Sequence, residues 1–249
     1  MTKLKFGGPT VRLPEFKSRD QRTAADHALL ELVDALRLSA LDGGVRLPPL
    51  GEIATAVHVS PSNVRAALKV LEQAGVVEIS PGRGGGVFIQ SLGNIPRALD
   101  RLYPAVPIEE VDMLFEAVFM TERTIARLAA IRATEQDIEQ IRERLVDIEL
   151  GTADAVMDYL ERTIRFQISM ATVARNAFLR GQFTELMNRL SFTVSLGVDP
   201  DRIPKHRIEE SKKHYAQLFT AFAERDLARI EFIVDTRHTF QRDLFADVQ

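Results

Sequence analysis

Residues 45–89 place two helical segments directly before two apolar strands, and this order restricts the fold more than any other part of the chain. The predicted elements are a helix at 51–58, a second helix opened by 59–63 and continuing through 64–73, a strand at 76–79, a turn at 81–86 and a strand at 87–89. Two short strands joined by a glycine-rich turn form a hairpin. Two helices followed by such a hairpin are typical of a winged helix-turn-helix, a domain that holds duplex DNA.

The second helix has separate polar and apolar faces. At about 100° per residue, Ser62, Arg65 and Lys69 share one narrow sector, and the apolar residues face the opposite way. Ser60 is suited to cap this helix, and Pro61 fits its first position, where no amide hydrogen is required. The polar face can therefore touch base edges and phosphates, as a recognition helix does. The alternative is an ordinary amphipathic helix with a solvated polar face.

The turn between the strands favours the DNA-binding interpretation. Its consecutive glycines remove side chains from the hairpin tip, so that the backbone can approach a groove while Arg83 meets phosphate or the minor-groove floor. A loose turn without function is the simpler alternative. A phosphate-binding P-loop fits poorly, because no Gly-Lys-Ser/Thr follows and the segment joins two strands. The predicted DNA contacts are Arg46, Ser60, Ser62, Asn63, Arg65, Lys69, Arg83, Gly84 and Gly85.

Composition indicates an ordinary globular protein. The chain has 249 residues, of which 45% are hydrophobic, enough for one large or two modest domains. The absence of cysteine excludes disulfides, thiolate zinc sites and a cysteine nucleophile. The sequence contains no signal peptide and no apolar run of roughly 18 residues, so we expect a cytoplasmic protein without a membrane partner.

Charge differs between the two halves of the chain. Residues 1–90 carry a net charge of +2, and residues 91–249 carry −5. The sign suits DNA binding by the first half, but so few basic groups give modest affinity at physiological salt. Since two domains on adjacent half-sites are the usual remedy, we expect a homodimer. In the N-terminal arm, residues 1–20, four basic side chains are either further DNA contacts or part of a loose solvated segment: Lys3, Lys5, Arg12 and Lys17.

Residues 22–90 resemble the DNA-binding domain of GntR-type bacterial transcription regulators. The matching motifs are Leu47-Pro48, Val59-Ser60, Val64-Arg65-Ala66-Ala67-Leu68 and Gly82-Arg83-Gly84-Gly85-Gly86. The chain departs from the family pattern at Pro61 and Gly51, where relatives often have arginines that contact DNA. The resemblance implies a transcription regulator whose operator differs from the common family site.

The second half of the chain is predicted to be helical throughout. Residues 91–107 contain Gly93 and three prolines and form a predicted linker, with a short helix near 97–102. Apolar stripes at helical spacing then predict six antiparallel helices, the last four near 153–173, 176–195, 206–223 and 226–246. The predicted fold is mainly α: a winged helix-turn-helix at 21–90 with a small β-hairpin wing, and an all-α antiparallel bundle at 108–246.

The bundle is similar to the effector-binding domain of the FadR branch of the same family, the FCD domain. The supporting motifs are Leu128-Ala129-Ala130-x-Arg132-Ala133-Thr134, Phe166 followed by Asn176, and Ala221 with Asp226. In many relatives one Asp and three His of the bundle hold a divalent metal that anchors a carboxylate effector. The resemblance places Thr163, Gln167, Tyr215 and Arg237 at these four positions.

These four residues are poor ligands for a transition metal, so the resemblance implies that the metal site is lost. His214 and His238 each lie one residue from an expected ligand, and a shift of register would restore them. Helix phase favours Tyr215 over His214 on the inward sector, whereas Arg237 and His238 are almost equivalent. We expect no metal and no other cofactor.

Thr163 and Gln167 interrupt an apolar stripe that should face the core, and buried polar groups need partners. One interpretation is an effector pocket with an apolar body and a few polar groups; the other is a hydrogen-bond network between helices without a ligand. Many relatives carry an Arg where this chain has Val118, and its loss together with the metal favours an acyl or aromatic acid, with Arg237 as anion partner. The candidate effector residues are Val118, Thr163, Gln167, Tyr215, Arg237 and His238.

The sequence contains no recognisable catalytic constellation. Gly-x-Ser-x-Gly is absent, and the adjacent carboxylates Glu109 and Glu110 face different directions on a helix. We therefore expect a ligand-responsive transcription regulator, a repressor by family habit, that acts as a dimer on duplex DNA. The alternatives are a constitutive DNA-binding protein whose bundle only dimerises, and a bundle enzyme with an incidental DNA-binding domain.

Overall fold

The computed structural model describes residues 3–4, 11–12, 22–39, 43–152 and 155–248. Lys3 of a two-residue strand, β1, pairs with Arg12 of β2 in an antiparallel hairpin. Two of the predicted contacts in the arm, Lys5 and Lys17, lie outside the described residues. The elements of the first half are β1 (Lys3–Leu4), β2 (Val11–Arg12), α1 (Ala24–Leu38), α2 (Leu50–Ala56), α3 (Pro61–Gln73), β3 (Val77–Ser80) and β4 (Gly86–Ile89).

Helix α1 has a clear local cause, although the sequence analysis assigns no element there. The Thr23 hydroxyl accepts a hydrogen bond from the Asp26 backbone N–H at 3.2 Å, and the Asp26 carboxylate accepts one from the Thr23 N–H at 2.8 Å. This capping box satisfies two amide groups that the helix leaves unpaired. The apolar residues that α1 buries recur at spacings of three and four: Ala28, Leu29, Leu32, Val33 and Leu36.

Helix α3 begins as the sequence predicts. Ser60 is its N-cap and accepts a hydrogen bond from the Asn63 N–H at 3.3 Å, while Pro61 occupies the first turn. Its apolar residues, Val64, Ala67, Leu68 and Leu71, are buried. The helix is therefore anchored by one face, and the opposite face is left free for a partner.

The wing consists of β3 and β4, paired antiparallel from Val77 opposite Ile89 to Ser80 opposite Gly86. Residues 44–47 run alongside β4 as a third extended segment, because the Leu47 N–H donates to the Val87 carbonyl at 2.8 Å. In the turn, Gly82 and Gly84 have φ values of +94° and +87°, a region that favours glycine. The two predicted strands are confirmed: β3 is shifted by one residue at both ends, and β4 begins one residue earlier than predicted.

The six-helix bundle is also confirmed. Its helices are α5 (Ile108–Arg132), α6 (Glu135–Leu150), α7 (Val156–Val173), α8 (Ala177–Gly197), α9 (Lys205–Ala223) and α10 (Leu227–Val248). The last four have both ends within three residues of the predicted positions. Thr134 caps α6 in a capping box with Asp137, and Asn176 caps α8.

The linker is folded onto both halves. Its helix, α4, spans Ile95–Ala98, so the predicted short helix is present but begins two residues and ends four residues earlier than 97–102. Proline is accepted in the first turn of a helix, and α4 accordingly starts before Pro96 instead of after it. The buried linker residues Ile95, Leu99 and Tyr103 belong to the hydrophobic core of the DNA-binding half, which also takes in Phe192 of α8. The two halves therefore share a packed boundary.

A second, larger core fills the bundle and is built from α5 to α10. Among the described residues, no helix combines the length and the apolar character that a membrane crossing requires.

Candidate DNA-binding surface and effector cavity

The outer face of α3 carries the polar side chains that the sequence analysis assigned to it. Ser62, Arg65 and Lys69 are exposed, and Asn63 is half-buried. The Ser60 hydroxyl lies 3.0 Å from the Ser62 hydroxyl and also caps the helix, so it is already engaged within the protein. The cationic groups of this face, Arg65 and Lys69, have no hydrogen bond or ion pair to any described residue. They are therefore available to phosphates and bases.

Two arginines have different roles at the wing. Arg46 donates from Nη2 to the Gly85 carbonyl at 2.6 Å, and its guanidinium lies where a side chain on Gly86 would be. Arg46 thus helps to hold the turn in place. Arg83 is exposed in the turn and has no hydrogen bond or ion pair within the described part of the chain. The turn needs glycine also at Gly85, where an added Cβ would lie 2.2 Å from the Ser80 carbonyl oxygen.

A buried ion pair joins the DNA-binding half to the bundle. Arg37, at the end of α1, is 0% exposed, and its Nε and Nη2 donate to the two carboxylate oxygens of Glu161 on α7 at 2.6 and 3.0 Å. Its Nη1 donates to the side-chain oxygen of Asn188 on α8. Such a fork-shaped contact fixes both distance and orientation. We call Arg37, Glu161 and Asn188 the interdomain triad.

Weaker polar contacts surround the triad. Asp158 of α7 accepts hydrogen bonds from the Ser91 hydroxyl at 2.7 Å and from the Gly93 N–H at 3.1 Å, both in the linker. Glu185 of α8 accepts from Tyr103 at 2.8 Å and from Arg22 at 2.8 and 3.0 Å. Burial raises the pKa of Glu185, but these hydrogen bonds outweigh it and hold that pKa below its ordinary value. The boundary is thus held on α7 and α8 together.

A cavity of about 110 Å³ lies inside the bundle, among α5, α7, α8, α9 and α10, with Pro96 of α4 at one edge. Its walls are mainly apolar. Of the predicted effector residues, it is lined by Val118, Thr163 and Gln167. Glu161 of the interdomain triad also lines it. One carboxylate therefore belongs both to the wall of the cavity and to the contact that holds the DNA-binding half.

Tyr215 and Arg237 do not line this cavity but form a buried cluster with Gln167. Arg237 donates from Nη1 to Glu122 Oε1 at 2.5 Å, and Gln167 donates to the same oxygen at 3.0 Å. The guanidinium also lies over the Tyr215 ring, 4.2 Å from its centroid. Burial disfavours the charged guanidinium, but the adjacent Glu122 carboxylate overcomes this and raises the pKa of Arg237. The charge of Arg237 is thus compensated inside the protein.

The two histidines near the family's metal positions pack against rings. His214 meets Phe240 edge-on at 5.0 Å between centroids, and His238, which also lies outside the cavity wall, stacks on Phe119 at 4.4 Å. Burial lowers the pKa of both, and Arg237 lowers that of His214 further. Among the described residues, no group of three or more His, Cys, Asp or Glu side chains is placed to hold a metal ion. A divalent metal needs anionic or imidazole donors. The four family positions instead hold one cation, Arg237, and three neutral side chains, Thr163, Gln167 and Tyr215, so they do not fit a metal ion.

Several residues of this site were missed by the sequence analysis: Arg37, Glu122, Glu161, Asn188 and Arg207. A signal for the first two was present, since Arg37 follows Val33 by four residues and Glu122 follows Val118 by four. Each places a charge on an apolar helical stripe. A charge in such a stripe needs a buried partner, but the sequence does not tell which one.

Two family models match the chain. The model described as "Bacterial regulatory proteins, gntR family" matches residues 24–87, which hold α1 to α3 and most of the wing. The model described as "FCD domain" matches residues 113–236 of the bundle. The two matches follow each other in the order that the sequence analysis expects and together span most of the chain.

Several relatives are named as transcription regulators. The chain is 23% identical to the uncharacterized HTH-type transcriptional regulator YcbG of Bacillus subtilis (strain 168), over 90% of this chain and 91% of that protein. It is 31% identical to HTH-type transcriptional regulator LutR of the same organism, over 61% of this chain and 66% of that one. It is 27% identical to a putative L-lactate dehydrogenase operon regulatory protein of Escherichia coli (strain K12), over 82% of each.

A solved structure, E. coli McbR/YncC, has the same fold with a TM-score of 0.53. It is 17% identical in sequence and covers 91% of this chain and 98% of its own. At that identity the likeness concerns the fold alone.

Proposed function

Because this chain belongs to the gntR family of bacterial regulatory proteins, we propose that it acts as a homodimeric repressor of transcription. An organic acid that binds in the bundle cavity then releases the dimer from its operator. The gntR and FCD domains together make it a ligand-responsive, DNA-binding transcription regulator. The proposal adds the oligomeric state, the direction of regulation and the location of the effector.

The observation that carries the proposal is the double position of Glu161. It lines the cavity, and it binds Arg37 at the end of α1. Helix α1 packs on α3, the recognition helix. Two contacts therefore connect a ligand at the cavity wall with the DNA-binding face: Glu161 with Arg37 of α1, and α1 with α3. It shifts the arrangement of that face only to the extent that it binds one arrangement more tightly than the other.

An exposed apolar stripe on α5 supports the homodimer. Met113, Met120 and Ile131 are 59%, 60% and 58% exposed, and their spacing of 7 and 11 residues places them on one sector of the helix. Helix α10, which packs on α5, exposes Phe232 as well. Aligned apolar side chains of this size are typical of an interface, and a second copy of the chain is the partner we propose.

We also propose that the regulator works without a metal ion and without catalysis. The guanidinium of Arg237 and the neutral side chains of Thr163, Gln167 and Tyr215 offer no set of donors for a divalent ion. The named relatives are regulators, and the described polar residues of the cavity form no nucleophile and base pair.

The test is selection of binding sites from a randomised duplex DNA pool by the full-length protein, together with its sedimentation mass. We expect an inverted repeat and a dimer. The variants Arg65→Ala and Arg83→Ala should each lose about tenfold or more in affinity at unchanged melting temperature, since they remove contacts to the DNA and none within the described protein. Arg242→Ala, which removes an exposed charge on α10, is the matched control.

A single half-site bound by a monomer would contradict the dimer, and a pool without enrichment would contradict sequence-specific binding. The direction of regulation follows from a reporter gene behind the selected site. A repressor lowers its expression, whereas a rise would make the protein an activator.

A further inference from the structure

We propose that the cavity binds a monocarboxylate with a single ring or a chain of about six carbons, and that Arg207 at the rim of the cavity holds its carboxylate. This inference rests on the proposed function and specifies the ligand of that site. It also moves the anion partner from Arg237, which the sequence analysis proposed, to a residue on the first turn of α9.

The cavity wall carries only two charged side chains among the described residues. Among the described residues that line it, Arg207 is the only one with a positive charge and Glu161 the only one with a negative charge. Glu161 is neutralised by Arg37 at 2.6 Å. The wall is therefore left with one cation for a ligand to meet. Arg237 does not serve, because it lies outside the wall and is paired with Glu122.

Arg207 is held in place by Phe240 but forms only a weak ion pair. Its guanidinium lies over the ring of Phe240, another wall residue, at 4.1 Å from the centroid. One nitrogen donates to the Phe240 carbonyl at 3.3 Å. Its ion pair with Glu210 is 3.5 Å long, and the Glu210 side chain is 47% exposed. An exposed pair of this length is weak, so an incoming carboxylate can take the place of Glu210.

The size and the polarity of the cavity limit which ligand it can hold. Apolar cavities of about 150 Å³ accommodate benzene, so a smaller cavity of about 110 Å³ that is partly open takes at most a short chain, or one ring that extends into the opening. The wall is mainly apolar, with residues such as Phe115, Ile164 and Leu190, and its polar side chains other than Arg207 and Glu161 are neutral. A second carboxylate would be buried there without a cation, at high cost. The cavity therefore selects against small dicarboxylates.

The experiment is calorimetric titration of the full-length protein with carboxylate and amide pairs that share an apolar body: phenylacetate with phenylacetamide, and hexanoate with hexanamide. Succinate serves as the small dicarboxylate. We expect at least one of the carboxylates to bind, about tenfold or more tightly than its amide, and succinate to give no binding at the same concentrations. In Arg207→Gln the acid and the amide should bind equally, whereas Arg207→Lys should keep part of the preference. Lys213→Gln, which removes an exposed charge from the same helix, should leave the ratio unchanged.

Two results would overturn the inference. One is an acid-to-amide ratio that Arg207→Gln does not change; the other is a protein that binds its selected DNA but none of the four apolar probes. In the second case the ligand class is wrong while the DNA-binding regulator stands. Loss of specific DNA binding by the wild-type protein would instead remove the proposed function itself.

Discussion

Arg37 is the side chain on which the contact between the two halves depends most. It is fully buried and paired with the equally buried Glu161. Arg37→Met should lower the free energy of unfolding by about 3–5 kcal/mol, because it leaves Glu161 buried without its cation. The double variant Arg37→Met with Glu161→Met removes both charges and should recover most of that loss. Urea unfolding followed by circular dichroism measures both values.

The exposed pair of Arg229 and Glu224 provides the control for this prediction. Arg229→Met should cost at most about 1 kcal/mol, since its side chain is 44% exposed and screened by water. A double variant as unstable as the single one would show that the loss arises from packing around Asn188 and not from the unpaired carboxylate.

Some functional side chains follow from local sequence patterns, and others depend on contacts between distant parts of the chain. The polar face of α3 was predictable because Ser62, Arg65 and Lys69 repeat at helical spacing. The triad was not, because Arg37 and Glu161 are 124 positions apart and nothing local pairs them. Arg237 shows the same limit, since helix phase and family position put it near the site, but only the fold brings Glu122 against it and compensates its charge.

Among the elements, the wing depends on its turn. At Gly85 an added Cβ would lie 2.2 Å from the Ser80 carbonyl and 2.8 Å from the Pro81 carbonyl carbon, so Gly85→Ala must move the backbone. We expect it to weaken operator binding about tenfold or more while the bundle stays folded, because the wing carries Arg83 to the DNA and contributes little to the bundle core. Gel-shift titration and the melting temperature measure the two effects.

The matched control is Gly181→Ala on α8, where a Cβ would meet no atom within 4 Å. It should leave DNA binding intact and stabilise the helix by about 0.5–1 kcal/mol. Unchanged DNA affinity in Gly85→Ala would mean that the wing does not contact the operator.

Elements were predictable where caps and periodicity agree. α6 starts at its Thr134 cap and α3 at its Ser60 cap, as expected. Helix α1 has an equally good signal, Thr23 followed by Asp26 three residues later, and could have been predicted from it. The packing of the linker was not predictable. Gly93 and the prolines indicate a boundary between the two halves, but they do not show that Ile95, Leu99 and Tyr103 are buried against the DNA-binding core.

For the whole molecule, helix α7 is the element that connects ligand and DNA. Within about three turns it presents Thr163 and Gln167 to the cavity, Glu161 to Arg37, and Asp158 to the linker. A small displacement of α7 therefore reaches α1 and the linker at once, and tightly packed elements transmit such displacements instead of absorbing them. The size of the response is set by the difference in ligand affinity between the two arrangements.

Asp158 offers the cleanest way to separate ligand binding from its effect on DNA. It does not line the cavity, and it ties α7 to the linker through the Ser91 hydroxyl and the Gly93 N–H. Asp158→Ala should leave the affinity for a bound carboxylate within about twofold, but should reduce the ligand-dependent change in operator affinity several-fold, because α7 can then move without the linker. Titration calorimetry measures the affinity for the carboxylate, and gel shifts with and without ligand measure the change in operator affinity.

The control is Asp243→Ala, which removes an exposed carboxylate from α10 and should change neither quantity. If Asp158→Ala keeps the full response, its contact with the linker is not what couples ligand to DNA, and the coupling then runs through the other contacts between the two halves, the interdomain triad and Glu185 with Tyr103 and Arg22.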